Sequence, residues 1–351
     1  MKKNITTIIT TLILSLSLTN VNSQSVSYKV LEDNPNSYNL DVSFLPFYVD
    51  MAGADNNLSL GYGINASAQY KKLGTARFYL QRPYTGGTDM GYHSGTVGIF
   101  DMPTVNKLHK YLHLELGGTF NLSERTKTKS KKVVLSSYTS GRTTTTKYLM
   151  VPATVRKIFG VRGGIYNYHT VITARQNGSI DGDLGIDAKG VISTDGTRFG
   201  GAALLNPVGV PTDPFYNTES ATNMRVLGVY GGISSSAYHK ILIDTDGYGT
   251  KGGSRYVNFF ADAMIAPPRI DDFEGADGKK YDVSGKGAQG FKTRPFGARV
   301  GYEYLMAKNK IGYYTKTEAG FKPGMANSKF YISLSFGICF ITKVQKLASA
   351  E

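Results

Sequence analysis

The chain has 351 residues, a formal net charge of +14 and one cysteine; 41% of its residues are hydrophobic, and it holds 24 tyrosines, 17 phenylalanines, 41 glycines and no tryptophan. A single cysteine excludes an intrachain disulfide, even in an oxidising compartment. No stretch supplies the about 20 consecutive apolar residues that a membrane helix needs. Tyrosine and phenylalanine can instead form interfacial girdles on a sheet, and glycine suits strands that curve and pass close to neighbours.

At the N-terminus, Lys2 and Lys3 precede the apolar, threonine-broken stretch Ile5–Leu18, which runs into Val21-Asn22-Ser23-Gln24. A basic start, a short apolar segment and small residues before a cut site predict a secretory signal peptide over residues 1–23. A retained anchor is the rival reading, against which the segment is too short and too rich in threonine. No cysteine lies beside the cut, which excludes a lipid-anchored lipoprotein.

Alternation then dominates the chain. Leu58, Leu60, Tyr62, Ile64, Ala66, Ala68 and Tyr70 interleave with Ser59, Gly61, Gly63, Asn65, Ser67 and Gln69. Leu112, Leu114, Leu116, Phe120 and Leu122 interleave with His113, Glu115, Gly117, Thr119 and Asn121. Val257, Phe259, Ala261, Ala263 and Ile265 oppose Asn258, Asp262 and the less polar Phe260; Phe296, Ala298, Val300, Tyr302, Tyr304 and Met306 oppose Gly297, Arg299, Gly301 and Glu303. The last segment is the clearest: Phe330, Ile332, Leu334, Phe336, Ile338 and Phe340 fall on one face, and Tyr331, Ser333, Ser335, Gly337 and Cys339 on the other. Successive strand side chains point to opposite faces, so each segment has one apolar side. A soluble sandwich would turn that side inward, whereas a membrane barrel turns it to lipid.

Strands are expected at 38–49, 58–70, 74–82, 109–122, 129–138, 145–158, 161–172, 222–234, 254–266, 293–307, 310–322 and 328–341, about twelve, with ten to fourteen as the range. The turns on one side are then Lys71–Leu73, Asn121–Thr128, Phe159–Gly160, Ser235–Gly253 and Lys308–Asn309, short except for the fourth. The other side carries the long connections Pro83–Leu108, Thr173–Ala221 and Ala266–Lys292. Short periplasmic turns, long outer loops and an even strand number are the bacterial barrel rule, predicting an all-β transmembrane antiparallel barrel.

On these segments the chain resembles the Gram-negative outer-membrane β-barrel proteins as a general superfamily. The resemblance implies a periplasmic segment at 24–37, a barrel at 38–341 and a periplasmic tail at 342–351. It also implies insertion by the barrel-assembly machinery, which reads a final strand ending in an aromatic residue; Phe336, Gly337, Ile338 and Phe340 match that signal. The tail Ile341–Glu351 departs from it, since such signals commonly end the chain. Outer-membrane lipid is the expected surrounding.

Little points to chemistry. Gly232-Ile233-Ser234-Ser235 lacks the second glycine of a nucleophile elbow, and His113 beside Glu115 reads as an interior hydrogen-bonded pair before it reads as catalytic. No enzyme activity and no cofactor are expected. Asp181, Asp183 and Asp187 are a weak calcium candidate, because alternating oxygen ligands on a glycine-bent loop suit calcium but no terminal glutamate completes the pattern. Asp244 and Asp246 are weaker still, and Asp271, Asp272, Glu274 and Asp277 read as a solvated loop. The basic run Arg125, Lys127, Lys129, Lys131 and Lys132 reads first as a solvated hairpin end. Its functional alternative is contact with acidic headgroups, peptidoglycan or a partner protein at the rim. Nucleic acid is not an expected partner of an exported chain.

With the apolar faces turned to lipid, Asp41, Arg77, Glu115, Arg156, Asp262, Arg299, Glu303, Lys316 and Glu318 face the lumen. The signs nearly balance, and balanced pairs cross-brace a closed lumen where a surplus of one sign favours selective passage. Two function classes follow: a non-enzymatic scaffold or subunit of an envelope complex, and a small diffusion porin for ions or small nutrients. An adhesin presenting the outer loops is a third.

Overall fold

The computed structural model describes residues 26–33, 35, 39–52, 57–70, 73–84, 112–176, 186–187, 192–193, 218–274, 280–282, 293–308, 310–325 and 330–343. The signal peptide, His93, His109, Asp181, Asp183, Asp277 and the tail beyond 343 lie outside these residues, as do the side chain of Asp187 and most of the three long connections.

Eleven main strands are described: β1 (Tyr28–Asp33), β2 (Asn39–Ala52), β3 (Asn57–Tyr70), β4 (Gly74–Pro83), β5 (Leu112–Ser140), β6 (Thr143–Gln176), β7 (Thr218–Thr245), β8 (Gly249–Ile265), β9 (Phe296–Lys308), β10 (Ile311–Phe321) and β11 (Tyr331–Lys343). From β2 to β11 each pairs antiparallel with the next, and β11 returns to β2, so ten strands close into a barrel. Closure satisfies every backbone group within the wall and leaves no edge. The aromatic-rich last strand seals the cylinder against the first, with Phe340 opposite Val42 and Leu334 opposite Val49.

The count of ten against an expectation of about twelve has one cause. Residues 109–138 and 145–172 were each divided in two by assumed turns at Asn121–Thr128 and Phe159–Gly160. The structure runs β5 and β6 straight through both, with only a bulge between Asn121 and Ser123. Likewise Ser235–Gly253 is not a loop but a hairpin, β7 and β8 pairing as far as Thr245 and Gly249. Serine, threonine, lysine and glycine are common in turns, but here they occupy paired strands.

Two hairpins therefore outrun the barrel on the rim where β2 begins and β11 ends, called here the lower rim. The last β5 residue with a β4 partner is Phe120, opposite Gly74. Residues 121–140 continue paired to β6 alone, an arm of roughly 60 Å at ~3.3 Å per residue. Strand β1 lies along the other edge of the β7 extension, Tyr28 opposite Thr245 and Asp33 opposite Ile241. The Asp33 carboxylate accepts hydrogen bonds from the Thr154 amide (2.8 Å) and hydroxyl (2.7 Å), tying β1 to the arm.

Candidate functional site

The wall has two chemically opposite faces. On β11, Leu334, Phe336, Ile338 and Phe340 are exposed on the outside, while Ser333, Ser335 and Cys339 are buried inside. The same split holds around the barrel: Phe44, Ile64, Leu116, Ile165, Val229, Phe259 and Val300 point outward. Aromatic rings gather towards the edges of this apolar band, Tyr304 and Tyr313 towards the lower rim and Phe321 with Phe330 near the upper one. A closed sheet with its apolar face outside and its charges inside is stable only where lipid replaces water around it. The chain is a membrane-spanning β-barrel.

The interior of this barrel is crowded with charge. Asp41, Asp50, Glu115, Asp262, Glu303 and Glu318 face Arg77, Arg162, Arg299, Lys316 and Lys322, and Arg156 pairs with Glu124 below them. Arg299 is the hub. Its Nε donates to Asp262 Oδ2 at 2.9 Å, its Nη2 to Glu115 Oε2 at 3.1 Å, and its Nη1 lies 3.3 Å from Glu318 Oε1. Lys316 Nζ sits 2.9 Å from the same Glu318 oxygen. Asp262 stands directly opposite Arg299 on the neighbouring strand, so register alone creates that contact; Glu303 stands opposite Lys316 in the same way.

Other contacts cross the lumen. Arg77 on β4 pairs with Glu303 on β9, five strands away around a ten-stranded wall and therefore on the opposite side. Arg77 also meets the Tyr256 hydroxyl, and Asn258 donates to Glu303 at 2.8 Å. Lys316 lies 3.7 Å from the centre of the Tyr79 ring, whose hydroxyl is 2.8 Å from Ser335. Arg162 packs 3.8 Å from the centre of the Phe260 ring and 3.0 Å from Asp262. Phe260 thus has an interior role despite its apolar character: it is a face for guanidinium groups. Gly232 stands between Arg162 and Asp262 in the register, and a Cβ there would meet Asp262 Oδ1 at 2.5 Å, so only glycine leaves the ion pair its path.

Above this network Lys322 pairs with Asp50; towards the lower rim Leu45, Tyr79, Leu305, Ala307, Tyr314 and Cys339 form an apolar cluster. Arg156 reaches Glu124 at 2.8 Å near the lower mouth. The Arg299 and Asp262 side chains are 1% and 0% exposed, so the hub of the network is shielded from water.

Of the interior residues named from sequence, Arg77, Glu115, Asp262, Arg299, Glu303, Lys316 and Glu318 are brought into ion pairs within the lumen, while Arg156 sits apart with Glu124 and Asp41 accepts from the Ser67 hydroxyl at 2.8 Å. Arg162, Asp50 and Lys322 were not named. Arg162 was legible as six residues from Arg156 on one face, had the strand been read as continuous. Asp50 lies just past the expected strand 38–49, and a bulge after Leu45, where Pro46 cannot donate to the ladder, turns the inward face to Tyr48 and Asp50. His113 has its Nε2 2.9 Å from Glu115 and its Nδ1 3.1 Å from Gln81, buried with both ring nitrogens occupied. Among the described residues no three histidine, cysteine, aspartate or glutamate side chains converge on a metal position. The basic residues 125–132 lie on β5 within the arm, not at a hairpin tip, which is at Gly141-Arg142.

No family model and no curated protein matches the chain. Solved structures similar to it include a TodX monoaromatic hydrocarbon channel mutant, 9% identical with TM-score 0.24, covering 89% of this chain and 91% of that one. The Pseudomonas putida toluene transporter TodX is 8% identical with TM-score 0.20, covering 88% and 89%. An anion-selective porin from Comamonas acidovorans is 8% identical with TM-score 0.17, covering 90% and 100%.

Proposed function

We propose that this is a non-enzymatic outer-membrane barrel with a closed lumen, acting at its rims as a scaffold or subunit of an envelope complex. The observation that carries the reading is the dry, charge-balanced network centred on Arg299. A conducting pore needs wet polar walls and sites weak enough for ions to leave; here each charge in the middle faces an opposite one. Buried pairs contribute little to stability over apolar packing, because desolvation offsets their attraction, but they fix geometry. The lower-rim arm, with the upper loops, then offers the contact surface, and the short-turn rule assigns the lower rim to the periplasm. Cleavage after Ser23 and insertion through the Phe336–Phe340 signal belong to the same proposal.

The second reading is a small diffusion channel whose network parts to open. The names of the similar structures, a hydrocarbon channel and an anion-selective porin, agree with it rather than with a scaffold. Planar-bilayer recordings of the purified chain separate the two. The closed reading expects no stable conductance steps; discrete, ion-selective steps overturn it in favour of the channel.

A further inference from the structure

A cavity of about 660 Å³ opens beneath the lower edge of the apolar band. Its walls come from β5 in the arm, from His239 and Ile241 on β7, from the lower end of β8 and from Met306–Lys308 on β9. Lys131, Lys132, Lys251, Arg255 and Lys308 line it, and no acidic residue does. Register explains the gathering. Arg255 stands opposite both His239 and Met306, and Lys251 opposite Ile243, all on the continuation of the lipid-facing side. The arm's edge at Lys131 comes round to face them.

The surroundings say what such a cavity would hold. Burial, with Arg255, Lys129 and Lys157 nearby, pushes the Lys131 ammonium below its ordinary range. Burial, with Lys131 and Arg255, pushes His239 down to about 4. Asp33 is the acid acting on His239, and its carboxylate is already held by Thr154. The positive charge is therefore crowded and lacks a counterion in the lining. Just above, the Arg255 guanidinium lies 4.9 Å from the Tyr304 ring centre, and the Met306 sulfur accepts from the hydroxyls of Tyr304 at 3.3 Å and Tyr313 at 3.2 Å. Tyrosine at the band's edge marks headgroup level.

We propose that this cavity binds the phosphate of an anionic phospholipid in the leaflet adjoining the lower rim. The phosphodiester sits among Lys131, Lys251 and Arg255, and the acyl chains follow the exterior past Met306 and Tyr304. Inorganic phosphate shares the binding chemistry, but the cavity's place on the lipid-facing side, at headgroup level, selects the lipid. The proposal rests on the membrane orientation above but not on whether the lumen conducts, so bilayer recordings leave it untouched.

Native mass spectrometry of the full chain, released from nanodiscs of equal phosphatidylglycerol and phosphatidylcholine with matched acyl chains, tests it. Phosphatidylglycerol should be retained over phosphatidylcholine, and the double variant K131Q/R255Q should lose about tenfold of that preference. K251Q should give a smaller loss and serves if the double variant does not fold, folding being read from the compact SDS-resistant band. Equal retention of both lipids, or an unchanged preference in a folded double variant, overturns the proposal. Inorganic phosphate titrated against delipidated protein and followed by phosphorus NMR gives the other arm. Weak binding lost in the variant supports the lipid, and binding as tight as the lipid's assigns the site to a soluble anion instead.

Discussion

The barrel wall and the arm beneath it are made by the same strands, yet they bury opposite faces. On β6 the side that shows Val161 and Phe159 to the exterior is the side on which Val155, Ala153 and Val151 are buried a few residues further down. The change of partner explains this. In the wall that side meets lipid, and the charged side meets itself across the lumen. Below the rim there is no lipid, so the apolar side of the β5–β6 arm closes on that of the β7–β8 hairpin, Val133, Val151 and Ala153 against Ile241 and Ile243. Alternation is indifferent to what covers the apolar face; position relative to the bilayer decides it. The wall is held by a closed ladder and buried ion pairs, and the arm by a handful of aliphatic contacts and the β1 strap.

The largest effect expected from breaking this contrast lies in the wall. Arg299→Leu removes the cation that Glu115, Asp262 and Glu318 share and leaves buried carboxylates facing one another. Breaking a buried pair from one side costs about 3–5 kcal/mol. The temperature at which the compact SDS-resistant band disappears should fall sharply, while proteolysis of the arm at moderate temperature stays as in the parent chain. A barrel that melts unchanged would mean that the network is ornamental to the wall.

The complementary change lies in the arm. Ile243→Ala opens the aliphatic cluster at a residue that is 0% exposed. Its cost should be roughly 2 kcal/mol, the low end for such truncations, because two hairpins can settle together more readily than a closed wall. Limited proteolysis between residues 121 and 160 should quicken, with the band shift on heating retained. If both readouts moved together, arm and wall would be one cooperative unit rather than two.

How much of this was legible in the sequence follows from the same contrast. The faces of β11 and the lumen side of β9 could be read directly, because strict period-two alternation fixes which residues share a side. Of the arm, 129–138 and 145–158 can be read as strands, but Asn121–Thr128, which holds Arg125 and Lys127, reads as a turn, and nothing local reveals that the strand runs through it into the wall. Asp50 lies just past the expected strand and after a bulge, which reverses faces without a strong sequence mark beyond Pro46. Arg162 was lost to a glycine misread as the end of a strand. Across-lumen pairs such as Arg77 with Glu303 depend on barrel circumference, and no single segment encodes that.

The smallest expected effect concerns pH and again separates the regions. His239 lies below the band, held down to about 4 chiefly by burial and then by Lys131 and Arg255, against 6.5 for an ordinary histidine. A depressed histidine favours its neutral form in the folded arm, so its contribution is present above pH 6.5 and is lost as pH falls from 6.5 through about 4. Proteolysis of residues 121–160 should therefore accelerate over that window, by less than Ile243→Ala produces, since the ring is partly exposed and water screens the repulsion. His239→Gln should remove that part of the acceleration. An arm with the same pH dependence in the variant would place the sensitivity outside the cationic cavity, and repulsion around His239 would then play no part in loosening the arm.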